Sequence, residues 1–289
     1  MNIFQAYLHG FKTTLQSKKM ITCIYMLILI LALLVSIPFL SSLKSAAGSA
    51  TATEQLTSDF DFTVIQELFM YKDFSFPTHL KQAVWIMILF LFLSIFLSGG
   101  ILSTLKDKAG SFKVGSFLGG SAQFFLRFLK LTFYLLLIHL LLALIIYLPF
   151  SIIVGGEMSA TATEKWFFQL FMIFFGIHMV LAIFLIIVSD YSRFRIVRED
   201  TPKVLKSIWL STRFVIGKFL QTYGLYLMLL VLPILLFYVM LIISKSFMAT
   251  AGWMILLVFI LQQLFIWLRM AFRIWTFSSQ YEYFQYHSK

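Results

Sequence analysis

Seven side chains in an otherwise apolar sequence carry the chemistry that could make a site. Arg269 and Arg273 stand one helical turn apart. Two guanidinium groups at that spacing can hold a phosphate or a carboxylate through bidentate hydrogen bonds. Asp190 and Arg193 lie where another hydrophobic segment meets its charged end, and His139, His178 and Gln262 lie in the middle of three such segments. Polar groups inside lipid are costly and are therefore default functional positions. Together they predict a polar pocket or channel in which Arg269 and Arg273 grip a head group, while His139, His178 and Gln262 line its inner end. The competing reading treats His and Gln as interhelical hydrogen bonds worth about 0.6 kcal/mol each. The arginines then reach for the interface or pair with Asp190.

Other chemistries are missing from the sequence. There is no Gly-x-x-x-x-Gly-Lys-Ser/Thr phosphate loop, no His-Glu-x-x-His zinc pair and no Gly-x-Ser-x-Gly nucleophile elbow. The carboxylates Asp107, Asp190, Glu199, Asp200 and Glu282 are not spaced as a metal site, and Asp59 with Asp61 reads as a helix cap. One cysteine, Cys23, forms neither an intramolecular disulfide nor a thiolate cage. No enzyme activity, cofactor or metal is expected.

The elements that position these residues follow from composition. Of 289 residues, 61% are hydrophobic and only 12% charged, against about a quarter charged in a soluble domain. Six windows of 23 to 26 residues contain no charge, beginning after Lys19, Lys81, Lys130, Lys165, Lys218 and Lys245. About 20 apolar residues cross a hydrocarbon layer as a helix. The fold class is therefore all-α, a polytopic membrane protein with helices at about 20–42, 82–104, 131–153, 166–188, 220–243 and 251–275. The apolar core of the first window is too long for a cleaved signal segment. Pro38 and Pro149 are expected to end their helices, and Pro233 to kink its own.

Lys and Arg set the direction. Eighteen fall at the termini and in the second and fourth connections, against five in the others, which places both termini in the cytoplasm. The net charge of +11 points to anionic lipid head groups as partners rather than to nucleic acid. A protein partner in the membrane is the other expectation.

Amphipathic segments at about 2–17, 111–126 and 201–217 precede the odd-numbered helices and predict interfacial helices. In the third, Thr201 and Pro202 read as a cap and first turn. An apolar stripe of Val204, Leu205, Ile208, Trp209, Val215, Ile216 and Phe219 runs beside Lys203, Lys206, Arg213 and Lys218. Setting Ser116 on Ser207 aligns Arg127-Phe128-Leu129 with Lys218-Phe219-Leu220, which predicts a threefold repeat of interfacial helix and helical hairpin. The outer loop at about 43–81 is expected to be flexible over 44–58, with a short helix from Asp59 carrying Phe62, Ile65, Leu68 and Phe69.

The stretch from Asp190-Tyr191-Ser192-Arg193 to Glu199-Asp200, followed by Lys203-Val204-Leu205-Lys206-Ser207, resembles a pattern in uncharacterised bacterial six-helix membrane proteins. These include the membrane domain attached to some glycerophosphoryl diester phosphodiesterases. The resemblance implies the same membrane architecture in a bacterial cytoplasmic membrane and transfers no catalytic residue, since the soluble phosphodiesterase domain is absent here. The expected function is non-catalytic engagement of anionic lipids or a membrane partner through the basic amphipathic helices. A transporter or permease for a small solute or lipid is the alternative, compatible with the repeat and the prolines but without an acidic residue at mid-membrane.

Overall fold

The computed structural model describes residues 1–47, 76–107, 112–157, 164–246 and 252–288, and these form eight helices. They are α1 (Ile3–Gln16), α2 (Lys18–Ala47), α3 (Phe76–Lys106), α4 (Val114–Glu157), α5 (Glu164–Glu199), α6 (Val204–Gly217), α7 (Phe219–Ser246) and α8 (Gly252–His287). Five stretches, within α3, α4, α5, α7 and α8, are long and apolar enough to cross a membrane, and a sixth follows when Ile3–Gln16 and Lys18–Leu34 are taken together. Closing every backbone hydrogen bond inside the helix is what lets such segments enter lipid. The protein is an all-α, multi-pass membrane protein.

Several boundaries differ from the sequence expectation. The segment 111–126 is not a separate interfacial helix, because α4 runs unbroken from Val114 to Glu157. Leu126-Arg127 stand where Gly217-Lys218 separate α6 from α7, and nothing at Leu126 favours a break. Pro38, Pro149 and Pro233 all lie inside helices, so neither Pro38 nor Pro149 ends its own. The last helix continues past 275 to His287. Helix α6 begins at Val204, and Thr201 instead accepts a hydrogen bond from the Lys203 amide through its hydroxyl at 3.2 Å. Of the expected outer loop, 43–47 and 76–81 are helical. The expected flexible stretch beyond Ala47 and the short helix from Asp59 lie outside the described residues.

The chain divides into two compact units. One, here the terminal unit, comprises Met1–Gln16, Ser98–Val231 and Trp275–Lys289. Its core is aromatic: Phe117, Phe128, Tyr191, Phe194, Tyr281 and Phe284 are fully buried. Phe194 meets Phe277, Tyr281 and Phe284, while Tyr191 meets Phe214 and Phe284, with ring centroids 5.3–6.3 Å apart. Tilted and edge-on ring pairs at such distances add about 0.5–1.5 kcal/mol each beyond area burial. The other unit, Ser17–Leu97 and Leu232–Ile274, buries Met20, Ile21, Ile24, Ile95, Leu97, Met270 and Ile274. Tyr25 donates there to Gln263 at 2.8 Å and Trp267 to Thr22 at 3.3 Å.

Three segments of the terminal unit share part of one burial pattern. Counting Phe4, Val114 and Leu205 as the same position, all three are exposed, as are Leu8, Leu118 and Trp209 four residues on. Gly10, Gly120 and Ser211 are buried and small, and Thr14, Phe124 and Val215 are buried again. The small position serves close approach. A Cβ on Gly10 would stand 2.6 Å from the backbone nitrogen of Ser279 on α8, and one on Gly120 would collide with Ser103 on α3. On α6 the corresponding face packs on α5, where Phe214 meets Tyr191. Each amphipathic segment thus seats on the C-terminal end of a helix that is not the one it leads into.

Replacing Gly10 by Ala is expected to lower the thermal midpoint in detergent, at a cost of about 1–3 kcal/mol for forcing an atom into closed packing. Gly119→Ala, where nothing lies within 4 Å, gains helix propensity of up to about 1 kcal/mol and should hold or raise the midpoint. Equal behaviour of the two variants in a thermal shift assay would contradict the close approach.

Candidate functional site

The charged end of α5 is a cross-linking segment. Its apolar residues Tyr191, Phe194, Ile196 and Val197 are buried in the terminal unit, so its charged residues emerge between them and find partners. Arg193 pairs with Asp190 at 3.2 Å and lies 6.0 Å from the Phe128 ring. Arg195 pairs with Glu199 at 2.8 Å and sits over Phe284, as does Arg198, which also bonds Ser288. Lys106 donates to the Val197 carbonyl at 2.9 Å. Asp200, just after the helix, has φ 46, a left-handed conformation that Asp tolerates better than most residues. It ends α5 and pairs with Arg127 of α4 at 2.5 Å.

The predicted pocket residues fall in both units. In the terminal unit, His139 and His178 meet edge-on with centroids 5.0 Å apart, and Tyr147 lies 5.4 Å from His178. Two imidazoles are short of a metal cage, and no group of three His, Cys, Asp or Glu gathers among the described residues. In the other unit, Arg273 donates to the Ser94 carbonyl at 2.9 Å and to its hydroxyl at 3.0 Å, tying α8 to α3. Gln262 and Arg269 are exposed. The structure therefore brings together His139 with His178, Asp190 with Arg193, and Arg273 with Ser94.

Helix α6 presents two apolar faces. Val204, Ile208 and Val215, with Ser207 and Ser211, turn into the unit. Leu205, Trp209 and Ile216 turn out, each at least 60% exposed. At about 100° per residue, these three lie within about 40° of one another, and Arg213 and Lys206 follow on one side. Lys203, Lys206 and Arg213 are exposed, while Lys218 lies over the Phe214 ring at 5.9 Å. An exposed apolar stripe edged by cations can enter the acyl boundary of a leaflet while its cations meet phosphates.

Sequence reasoning missed the polar interior of the C-terminal segment. Ser278, Ser279 and Gln280 are buried beside Phe277, Tyr281 and Phe284. The signal was present in the helical spacing of Phe277, Tyr281 and Phe284, but the charge-free window had ended. Comparison of the chain with protein-family models, with curated proteins and with solved structures gives no match in any of the three. The likeness seen at residues 190–207 rests on those residues alone.

The hydrogen bond from Arg127 holds the Asp200 carboxyl below its ordinary value of 3.8, reinforced by the Arg127 and Lys106 charges and opposed by partial burial. A lowered folded-state value stabilises the fold above the ordinary value, and that contribution is lost as pH falls through the lowered one. Asp200→Asn should therefore unfold at a lower temperature than the parent at pH 7, by no more than about 1 kcal/mol for so exposed a pair. The difference should close in acid, as pH falls through the lowered value of the Asp200 carboxyl. A difference that persists in acid would separate Asp200 from this ion pair.

Proposed function

We propose that the protein is a non-catalytic membrane protein that engages anionic lipid head groups through its basic amphipathic helices, on the cytoplasmic side of a bacterial cytoplasmic membrane. The observation that carries this reading is the division of α6. Its inner face is sealed against α5, so the exposed Leu205, Trp209 and Ile216 are left for another apolar medium, Lys206 and Arg213 edge that stripe, and Lys203 stands exposed just before the helix. The cations of the α5 end, by contrast, are spent on partners within the protein. Arg273, bound to Ser94, is drawn away from head-group binding, which weakens the alternative pocket. The excess of Lys and Arg at the termini and in the second and fourth connections orients this surface toward the cytoplasm.

Native mass spectrometry from nanodiscs containing phosphatidylglycerol and phosphatidylcholine tests the reading. At about 1 kcal/mol per cation near an anionic surface, the triple variant Lys203→Gln, Lys206→Gln, Arg213→Gln should bind phosphatidylglycerol about 100-fold more weakly, with the thermal midpoint unchanged. Retention equal to that of the parent would sink the proposal. Uptake of solute by sealed vesicles would favour transport instead.

A further inference from the structure

Helix α1 repeats the small buried face and the large exposed stripe of α6 at matching positions. Both are 14 residues long, and both are followed by one residue, Ser17 or Lys218, and then a long apolar helix. Ala6, Gly10 and Thr14 are buried on α1 where Ser207, Ser211 and Val215 are buried on α6. Phe4, Leu8 and Leu15 are exposed where Leu205, Trp209 and Ile216 are exposed. In this register Lys12 occupies the position of Arg213, and both are exposed beside the apolar stripe. In the third segment, at the start of α4, the same position is Ala122, also exposed.

We propose that α1 carries a second contact for the phosphate of an anionic phospholipid, with Lys12 acting as Arg213 does on α6. The segment of α4 lacks that contact only because Ala122 has no charge. The inference rests on the lipid-binding reading of α6. The two contacts differ in strength. Arg213 offers a forked donor and shares its edge of the helix with Lys206, whereas Lys12 is a single point charge. Asn2 and Gln5 stand in the places of Lys203 and Lys206, and the side-chain Oε1 of Gln5 already accepts from the backbone amide of Asn2 at 3.0 Å.

The same nanodisc experiment, counting retained phosphatidylglycerol molecules, tests this. The parent chain should hold two, of which the one on α1 leaves first as collision energy rises. Lys12→Gln and the triple variant Lys203→Gln, Lys206→Gln, Arg213→Gln should each hold one, the two combined none, and Lys12→Arg should hold two with the weaker one strengthened. Ala122→Lys should gain a third. Loss of lipid from the triple α6 variant but none from Lys12→Gln would overturn the second contact and leave α6 as a lipid-binding helix. Unchanged retention in every variant would overturn both. An Ala122→Lys chain that still holds two would show that the shared register does not carry shared binding.

Discussion

The terminal unit depends on helices meeting too closely to admit a Cβ. Where Gly10 seats on Ser279 and Gly120 on Ser103, there is no room for a Cβ, and only a small residue lets the amphipathic segment lie so close. That closeness decides what the rest of each segment faces. With Gly10 or Ser211 turned fully inward, the stripe that begins at Phe4 or Leu205 is turned outward and finds no cover inside the unit. Between membrane helices there is little hydrophobic drive to associate, so small residues and packing carry the association. The same choice of small residues gives the unit its cohesion and leaves its surface greasy.

The arginines and lysines divide into two populations by the same geometry. Those at the end of α5 rise between buried aromatic residues and are bound within the fold: Arg193 by Asp190, Arg195 by Glu199, Arg198 by Ser288 and Phe284. Those on α6 rise beside an exposed stripe and remain at the surface. A count of basic residues treats the two alike. Only burial separates cations taken up within the fold from cations turned toward the surroundings.

Much of this architecture was legible in the residues. Charge-free windows are long, and a helix is the structure a single segment can form while satisfying its own backbone, so the existence of the long helices follows from composition. Boundaries were harder. The end of α8 at His287 was hidden because its last turns mix Ser, Gln and Glu with Phe and Tyr, a pattern that a transfer-based reading takes for the end of the helix. The unbroken α4 was hidden because a basic residue at Arg127 looks the same in sequence whether the helix bends there or continues. The candidate site was legible as residue types, not as pairs. That Arg273 would bind Ser94, or His139 meet His178, depends on which helices adjoin, and spacing along one helix carries no information about that.

The continuity of α4 has a mechanical consequence. Its 44 residues, at about 1.5 Å each, reach about 66 Å, roughly twice the thickness of a bilayer's hydrocarbon layer. At α1 and α6 a single residue, Ser17 or Lys218, joins the amphipathic helix to the helix that follows, so each part can adjust to the bilayer by itself. In α4 the two are one rod. A change in bilayer thickness that tilts its apolar portion must also move the segment around Gly120, which is wedged against Ser103 of α3. The fold thus contains one element through which hydrophobic mismatch is felt directly by its packed core.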